Sequence, residues 1–345
     1  MHRDVLIVGF GLAGWALTEA LTKTGKSFVV FDPSVESSSK VATGIYNPVV
    51  LKRFRAIWHA DELMTHSLPF YKQAKYASAL NPMPIWRVFA NESEQNDWAV
   101  ASDSSKLKPY LGSSVSLPEN QNIIAPKGTG AVLQTGWVNT SLLLHHAQKH
   151  LLQRQAFVSE LFSYEDLIIT SKGVEYGQWK ATHIVFAEGV GIRKNPWFSN
   201  LPVVPNKGEW LIVRCPGLHL DYMLKGSVFI VPLGGDRYRV GATYEHSFSS
   251  LTPTSDARVW LIERFKKYIA LPFVIEAHGA GLRPTVPDRK PLVGKHPKYP
   301  ALSCINGLGS RGVLWAPFLA TTLTNFLFYK QDIPVEMDLE RYLTV

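Results

Sequence analysis

The sequence predicts an α/β protein whose parallel-sheet lobe is joined by a second, α+β lobe built on an antiparallel sheet. Three observations predict it. A short apolar run at the N-terminus breaks into closely spaced glycines and then a helix, a second apolar run ends on an acid, and strands of alternating polarity appear only further along the chain.

Val5 to Val8 has no periodicity, which suits a strand buried on both faces of a parallel sheet. Gly9-Phe10-Gly11-Leu12-Ala13-Gly14 follows it as G-x-G-x-x-G at a strand-to-helix junction. In that pattern Gly9 permits the tight turn, Gly11 lets backbone approach a pyrophosphate, and Gly14 lets helix and strand pack closely. The helix is predicted from Leu12 to Thr24 with Gly25 closing it. Ser27 to Phe31 reads as a second strand ending on Asp32, at the distance from the glycines where a ribose hydroxyl pair needs an acceptor. A plain tight turn would account for the glycines but not for the acid. Phosphates would lie on free N–H groups at the positive end of the helix. A signal peptide is the other reading of an apolar N-terminus, but Asp4, three glycines and the lack of a small-residue cleavage site argue against it.

With 345 residues, two lobes are expected. An apolar share of 46% and a charged share of 19% exclude the disordered and fibrous classes. Cys215 and Cys304 lie far apart, which predicts no metal site and no disulfide framework, and points to a reducing, cytoplasmic compartment. The net charge of +8 would serve nucleic acid, an anionic cofactor or acidic substrates. Its positive residues are scattered, with only short groups such as Lys52-Arg53-Phe54-Arg55 and Lys266-Lys267. Val313 to Tyr329 is apolar, but threonines and Asn325 interrupt it and it is short for a bilayer, so a buried helix is expected and no membrane span.

After Asp32, a polar run leads to Ala42-Thr43-Gly44, small residues suited to a phosphate or a ring edge. Ala56 to Ala79 reads as helical, and Asn81 to Thr129 as a change of lobe with a strand at Ile85 to Phe89. Asn139 or Thr140 caps a helix running to Gln153. Strands are predicted at Ala156 to Leu161, Leu167 to Thr170 and Thr182 to Ala187, the last ending in Glu188-Gly189. Antiparallel strands follow at Glu209 to Arg214, Ser227 to Pro232 and Arg237 to Glu245, with Gly234-Gly235-Asp236 as a hairpin turn. A helix from Asp256 to Ile269 places Val259, Ile262, Phe265 and Ile269 on one face. Gly279 to Gly294 reads as a return to glycine loops, and Ala301 to Ile305 as a strand before Asn306 to Gly312 opens the apolar helix. The expected division is a discontinuous cofactor lobe of residues 1–80, 130–205 and 272–345, and a substrate lobe of 81–129 and 206–271.

Taken together, GFGLAG (9–14), FD (31–32), KVATGIYNP (40–48), NKGEW (206–210), FIVP (229–232), VGATYE (240–245), GLRPTVPDRKPLVG (281–294) and NGLGSRGVLWAP (306–317) resemble the D-amino-acid oxidase and glycine oxidase family of FAD enzymes. With TGWVNTSLL (135–143), several of these are most similar to the FAD domain of the bifunctional enzymes that finish 5-methylaminomethyl-2-thiouridine in tRNA. The resemblance implies a Rossmann-like FAD-binding domain with a discontinuous antiparallel-sheet substrate domain. It implies FAD with its pyrophosphate over Gly9 to Gly14, its ribose on Asp32, and its ring between the lobes; Ala42, Thr43 and Gly44, and Gly189 at the second strand-to-glycine junction, are further cofactor-binding candidates. Leu161 matches the position whose backbone meets the adenine, and Gly309, Ser310, Arg311, Gly312 and Val313 match the loop facing the pyrimidine edge. Arg283 matches the arginine that holds a substrate carboxylate, and Tyr244 and Phe229 match pocket positions, although the family often has tyrosine where Phe229 stands.

The implied activity is oxidation of a C–N bond by hydride transfer to flavin N5, followed by hydrolysis of the imine. The substrate is either a free D- or N-substituted amino acid, or carboxymethylaminomethyluridine in tRNA, itself a glycine derivative. A flavin-binding protein without catalysis is the rival from a different class, and the Gly281-Leu282-Arg283-Pro284 stretch speaks against it.

Overall fold

The computed structural model describes residues 1–35 and 37–343. In chain order its principal elements are β1 (His2–Val8), α1 (Leu12–Lys23), β2 (Phe28–Phe31), α2 (Ala60–Tyr71), β3 (Ile85–Val88), α3 (Glu92–Asp103), β4 (Leu111–Ser116), β5 (Thr129–Val132), α4 (Thr140–Gln153), β6 (Phe157–Val158), β7 (Leu167–Thr170), β8 (Gly173–Tyr176) and β9 (Trp179–Phe186). Then come β10 (Val204–Arg214), β11 (Met223–Lys225), β12 (Phe229–Gly234), β13 (Arg237–Gly241), α5 (Ser255–Lys266), β14 (Val274–Thr285), β15 (Leu292–Lys295), β16 (Leu302–Asn306) and α6 (Gly312–Tyr329).

One sheet runs β6-β2-β1-β9-β8-β7, with β16 also pairing β9 and β15 pairing β16. The strands β6, β2, β1, β9 and β16 are mutually parallel. Val5, Leu6 and Ile7 are wholly buried, as a strand covered on both faces requires. The helix α6, 18 residues with a mean hydropathy of 1.2, is long and apolar enough by length and composition to cross a bilayer. It lies instead against α1 and α2, with Leu314, Ala316, Leu319, Ala320 and Leu323 in the core they share.

The second sheet runs β14-β10-β13-β12-β11-β3-β5-β4 and is antiparallel except where β11 meets β3. It departs from the sequence reading in one major respect. Residues 279–285, read as glycine loop and assigned to the cofactor lobe, belong to the twelve-residue strand β14, paired with β10 along its whole length. The glycines are there because large side chains lie flat on the sheet: a Cβ on Gly279 would stand 2.3 Å from Trp210 Cζ2.

Smaller differences have local causes. The helix expected from Ala56 begins only at Ala60, because Arg55–Ala56 pairs with Val49–Val50 in a hairpin. The helix α3 stands in a stretch whose composition predicts short strands; its apolar residues scarcely segregate, but Asn91 caps it by accepting from Glu94 N at 3.0 Å. The strand expected to reach Glu245 leaves regular pairing after Gly241, which turns Tyr244 out to 61% exposure. On α5 the buried positions are Leu261 and Phe265, whereas Val259, placed on the inner face by its spacing, is 55% exposed.

Candidate active site

The β1–α1 junction is built on close backbone approach. Gly9 has φ +97, and a Cβ on Gly14 would stand 2.1 Å from Gly9 O, so a side chain at Gly14 would force helix and strand apart. Phe10 N donates to Asp32 Oδ2 at 2.8 Å and Ser34 N to Oδ1 at 2.7 Å, which locks the end of β2 onto the glycine turn. Each carboxylate oxygen keeps a lone pair for a further donor. Ser39, inside the polar run but not singled out from sequence, accepts from Leu12 N at 3.0 Å.

The N-termini of α1 and α6 meet. A Cβ on Gly312 would lie 3.3 Å from Leu12 Cδ1. Neither helix has a side-chain cap from its N-cap residue or an acid in its first turn. Two positive helix ends side by side, without acids of their own, fit an anionic group.

The segments expected around a flavin are tied to one another. Asn306 Nδ2 donates to Gly189 O at 2.8 Å, Gly309 N to Pro284 O at 2.9 Å, and Arg311 Nη1 to Asn47 O at 3.0 Å. Thr140 Oγ1 reaches Ala42 O at 3.4 Å, and Val138 N donates to Gly44 O at 2.9 Å. Gly44 has φ +73, and a Cβ there would fall 1.9 Å from Val138 O. Ala42, Thr43 and Gly44 are thereby fixed between Asp32 and the small sheet of residues 45–46, 80–82 and 136–138. Val313 is buried and its carbonyl accepts from Tyr71 at 2.7 Å, while Ser310 faces solvent. Arg311 lies largely buried, which lowers its pKa to about 10; it stays a cation, and no carboxylate lies within 4.0 Å among the described residues. Leu161 stands apart, three residues past β6 with its side chain 78% exposed.

Arg283, expected on the substrate side, lies on one face of the second sheet. The register Asn206↔Arg283, Gly208↔Gly281 and Trp210↔Gly279 sends alternate residues of β10 and β14 to the same side. Arg283 Nη1 donates to Asn206 Oδ1 at 2.7 Å and to Thr243 O at 3.2 Å. Its guanidinium lies 5.4 Å from the Tyr244 ring centroid. A Cβ on Gly208 would fall 2.2 Å from Arg283 Nη2, so the glycine makes the space for the arginine. Burial lowers the Arg283 pKa, and Tyr244 opposes that shift. Asn206, wholly buried, also donates from Nδ2 to Glu245 O at 3.0 Å, gripping the segment that carries Tyr244. Phe229 shares a row with Gly241, Trp210 and Gly279, four residues or about 13 Å along the face from Arg283. Lys225 Nζ sits 4.8 Å from the Phe229 ring, and burial with Arg87 nearby lowers its pKa to about 8. Asn206 lies in the NKGEW motif without an assigned role and Ser39 in a plain polar run; the pairing of distant segments is what shows what they do.

Facing anion-seeking helix ends on a parallel sheet, with an arginine-bearing antiparallel sheet alongside, define a dinucleotide-binding oxidoreductase with a separate substrate lobe. The chain belongs to the family described as DAO: FAD dependent oxidoreductase, whose family model matches residues 4–326. FAD is its cofactor. It is 29% identical to the glycine oxidase of Pseudomonas putida over 95% of both chains. It is 30% identical to that of Pseudomonas aeruginosa, over 46% of this chain and 44% of that enzyme. It also matches the tRNA 5-methylaminomethyl-2-thiouridine biosynthesis bifunctional protein MnmC of Legionella pneumophila at 21% identity, over 94% of this chain but only 54% of that protein. The fold is that of the glycine oxidase from Geobacillus kaustophilus, with a TM-score of 0.76 at 20% identity over 99% and 98% of the two chains. It is equally that of L-proline dehydrogenase from P. horikoshii, with a TM-score of 0.79 at 15% identity over 97% and 96%.

Proposed function

We propose that the chain oxidises the C–N bond of a glycine-like or amino-acid amine whose carboxylate is held by Arg283. One observation carries this reading: Arg283 is largely buried, fixed through Nη1 by Asn206 and Thr243, and has no carboxylate within 4.0 Å among the described residues. A buried cation without a counter-ion is costly, and an anionic substrate relieves that cost. Nη2 and Nε are left for a two-pronged grip.

Gly9, Gly11, Leu12, Ala13, Gly14, Asp32, Ala42, Thr43, Gly44, Gly189 and Gly309 to Val313 would hold FAD, with Leu161 beyond them toward the adenine. When bound, FAD supplies the two-electron acceptor for the oxidation. Arg283 sets the direction of the substrate, Tyr244 covers the guanidinium, and Phe229 offers an apolar wall. No side-chain base is required where the amine binds uncharged. Two buried free cysteines are in keeping with a cytoplasmic setting.

A second reading takes carboxymethylaminomethyluridine in tRNA as the substrate. The net charge of +8 and the MnmC relatives favour it, and Lys52 and Arg53 are exposed as such a contact would need. The deciding experiment is the anaerobic visible spectrum of the yellow protein with sarcosine, glycine or D-amino acids, and separately with tRNA bearing that base. Bleaching by any of these supports an amine oxidoreductase, whereas an unchanged spectrum with all of them overturns it. Bleaching by tRNA that weakens steeply with salt selects the second reading.

A further inference from the structure

The face that carries Arg283 holds a second group of polar atoms without partners. Arg239 stacks on the Trp210 ring with its Cζ 3.9 Å from the centroid. Arg239 donates through Nη2 to Val41 O, but its Nε is buried without a partner, and so is Trp210 Nε1. No carboxylate lies within 4.0 Å of Arg239 among the described residues. A buried donor left unpaired is destabilising, and stacked neighbours of this kind call for a shared acceptor.

The register fixes where this station points. Ile212 pairs Arg239 across β10 and β13, as Asn206 pairs Arg283 across β10 and β14, and residues 206, 208, 210 and 212 alternate onto one face. The loop at Val41 lies against that same face, because a Cβ on Gly281 would stand 2.5 Å from Val41 Cγ2. Four residues of β10, about 13 Å of strand, separate the Trp210 row from the Arg283 row, and the Arg239 backbone lies two residues further while its guanidinium reaches back over the Trp210 ring. A ligand that engages both carries a second acceptor beyond its carboxylate.

We infer that Trp210 and Arg239 form a second acceptor-binding station, which takes an anionic group at the far end of an extended glycine derivative whose carboxylate sits on Arg283. The inference rests on the carboxylate-clamp reading of Arg283. An anion at the station could also come from the cofactor, so the test separates the two sources.

The test compares N-(ω-carboxyalkyl)glycines with N-alkylglycines of equal chain length as substrates of the FAD-loaded enzyme. The wild type is expected to favour the ω-carboxylate by about tenfold in kcat/KM at the chain length that bridges the two arginines. Arg239→Met should bring that ratio to about one, Trp210→Phe should lower it by a smaller factor, and Arg239→Lys should keep part of it. No preference in the wild type at any length, or a preference that survives Arg239→Met, overturns the proposal. So does a change in FAD affinity or flavin reduction potential in Arg239→Met with the ratio intact, which would assign the donors to the cofactor. Failure of the Arg283 reading is distinct: Arg283→Ala would then leave the KM of sarcosine unmoved, whatever Arg239 does.

Discussion

Successive residues of β10 treat charge in opposite ways on the two faces of the sheet. On one face Lys207 and Glu209, with side chains 1% and 0% exposed, form an ion pair at 2.9 Å, and His278 Nε2 lies 2.9 Å from the other Glu209 oxygen. Thr254 N donates to that carboxylate at 2.8 Å, and Lys207 Nζ donates to Thr252 O at 2.7 Å. On the other face Arg283 and Arg239 are held by neutral oxygens from Asn206, Thr243 and Val41, with no acid beside them among the described residues. The first face completes its charges internally and serves stability. The second leaves charge uncompensated, which is tolerable only where a ligand supplies the partner.

The largest effect should come from breaking the complete face. Glu209→Gln strands Lys207 and should cost about 3–5 kcal/mol, read as a fall in denaturation midpoint. A loss below 1 kcal/mol would mean the pair is not held as described. Next comes the cofactor junction: Gly14→Ala meets Gly9 O, a backbone atom, and should cost about 1–3 kcal/mol together with FAD affinity. By contrast, a Cβ on Gly11 would meet only the Ser39 side chain, at 2.8 Å, so Gly11→Ala should cost less stability than Gly14→Ala yet still lose bound flavin, because the methyl stands where backbone approaches the pyrophosphate; the yellow absorbance after gel filtration measures the loss.

Asn206→Asp sharpens the contrast by giving the open face an acid of its own. The new carboxylate would sit against Arg283 and compete with substrate, raising KM by about tenfold with kcat less affected. An unchanged KM would remove Arg283 from substrate binding. The smallest effect is in pH. Burial lowers the His278 pKa below the ordinary histidine value, against the pull of Glu209. The unfolded chain therefore takes up this proton at higher pH than the folded one, so stability falls as pH drops below about 6.5. Denaturation midpoints of His278→Asn should show a flatter acid side.

How much of this was legible depended on the range of the interaction. The turn at Gly9, the packing of Gly14 and the acid of Asp32 act within one strand-helix-strand unit, and their order along the chain exposes them. Gly279 and Gly281 read as loop in the sequence but lie in β14, because a glycine in a strand announces itself only through the partner that lies on it, here Trp210 and Val41. Arg283 was found through its motif. Asn206, which orients it, and Arg239, in the same face, were not singled out, because the register that aligns them joins segments some seventy residues apart or more in one case and a hairpin-rich stretch in the other. Tyr244 fitted an alternating pattern, but that pattern could not show where the strand leaves the sheet.

The most direct test of the central claim is the rate of anaerobic flavin bleaching by glycine derivatives and by their amides, in the wild type and in Arg283→Ala. A charged hydrogen bond of about 1.5–3 kcal/mol predicts that the wild type favours the carboxylate by about 10- to 100-fold and that the variant loses the preference. Equal preference in both proteins would contradict the assignment of Arg283 as the carboxylate clamp.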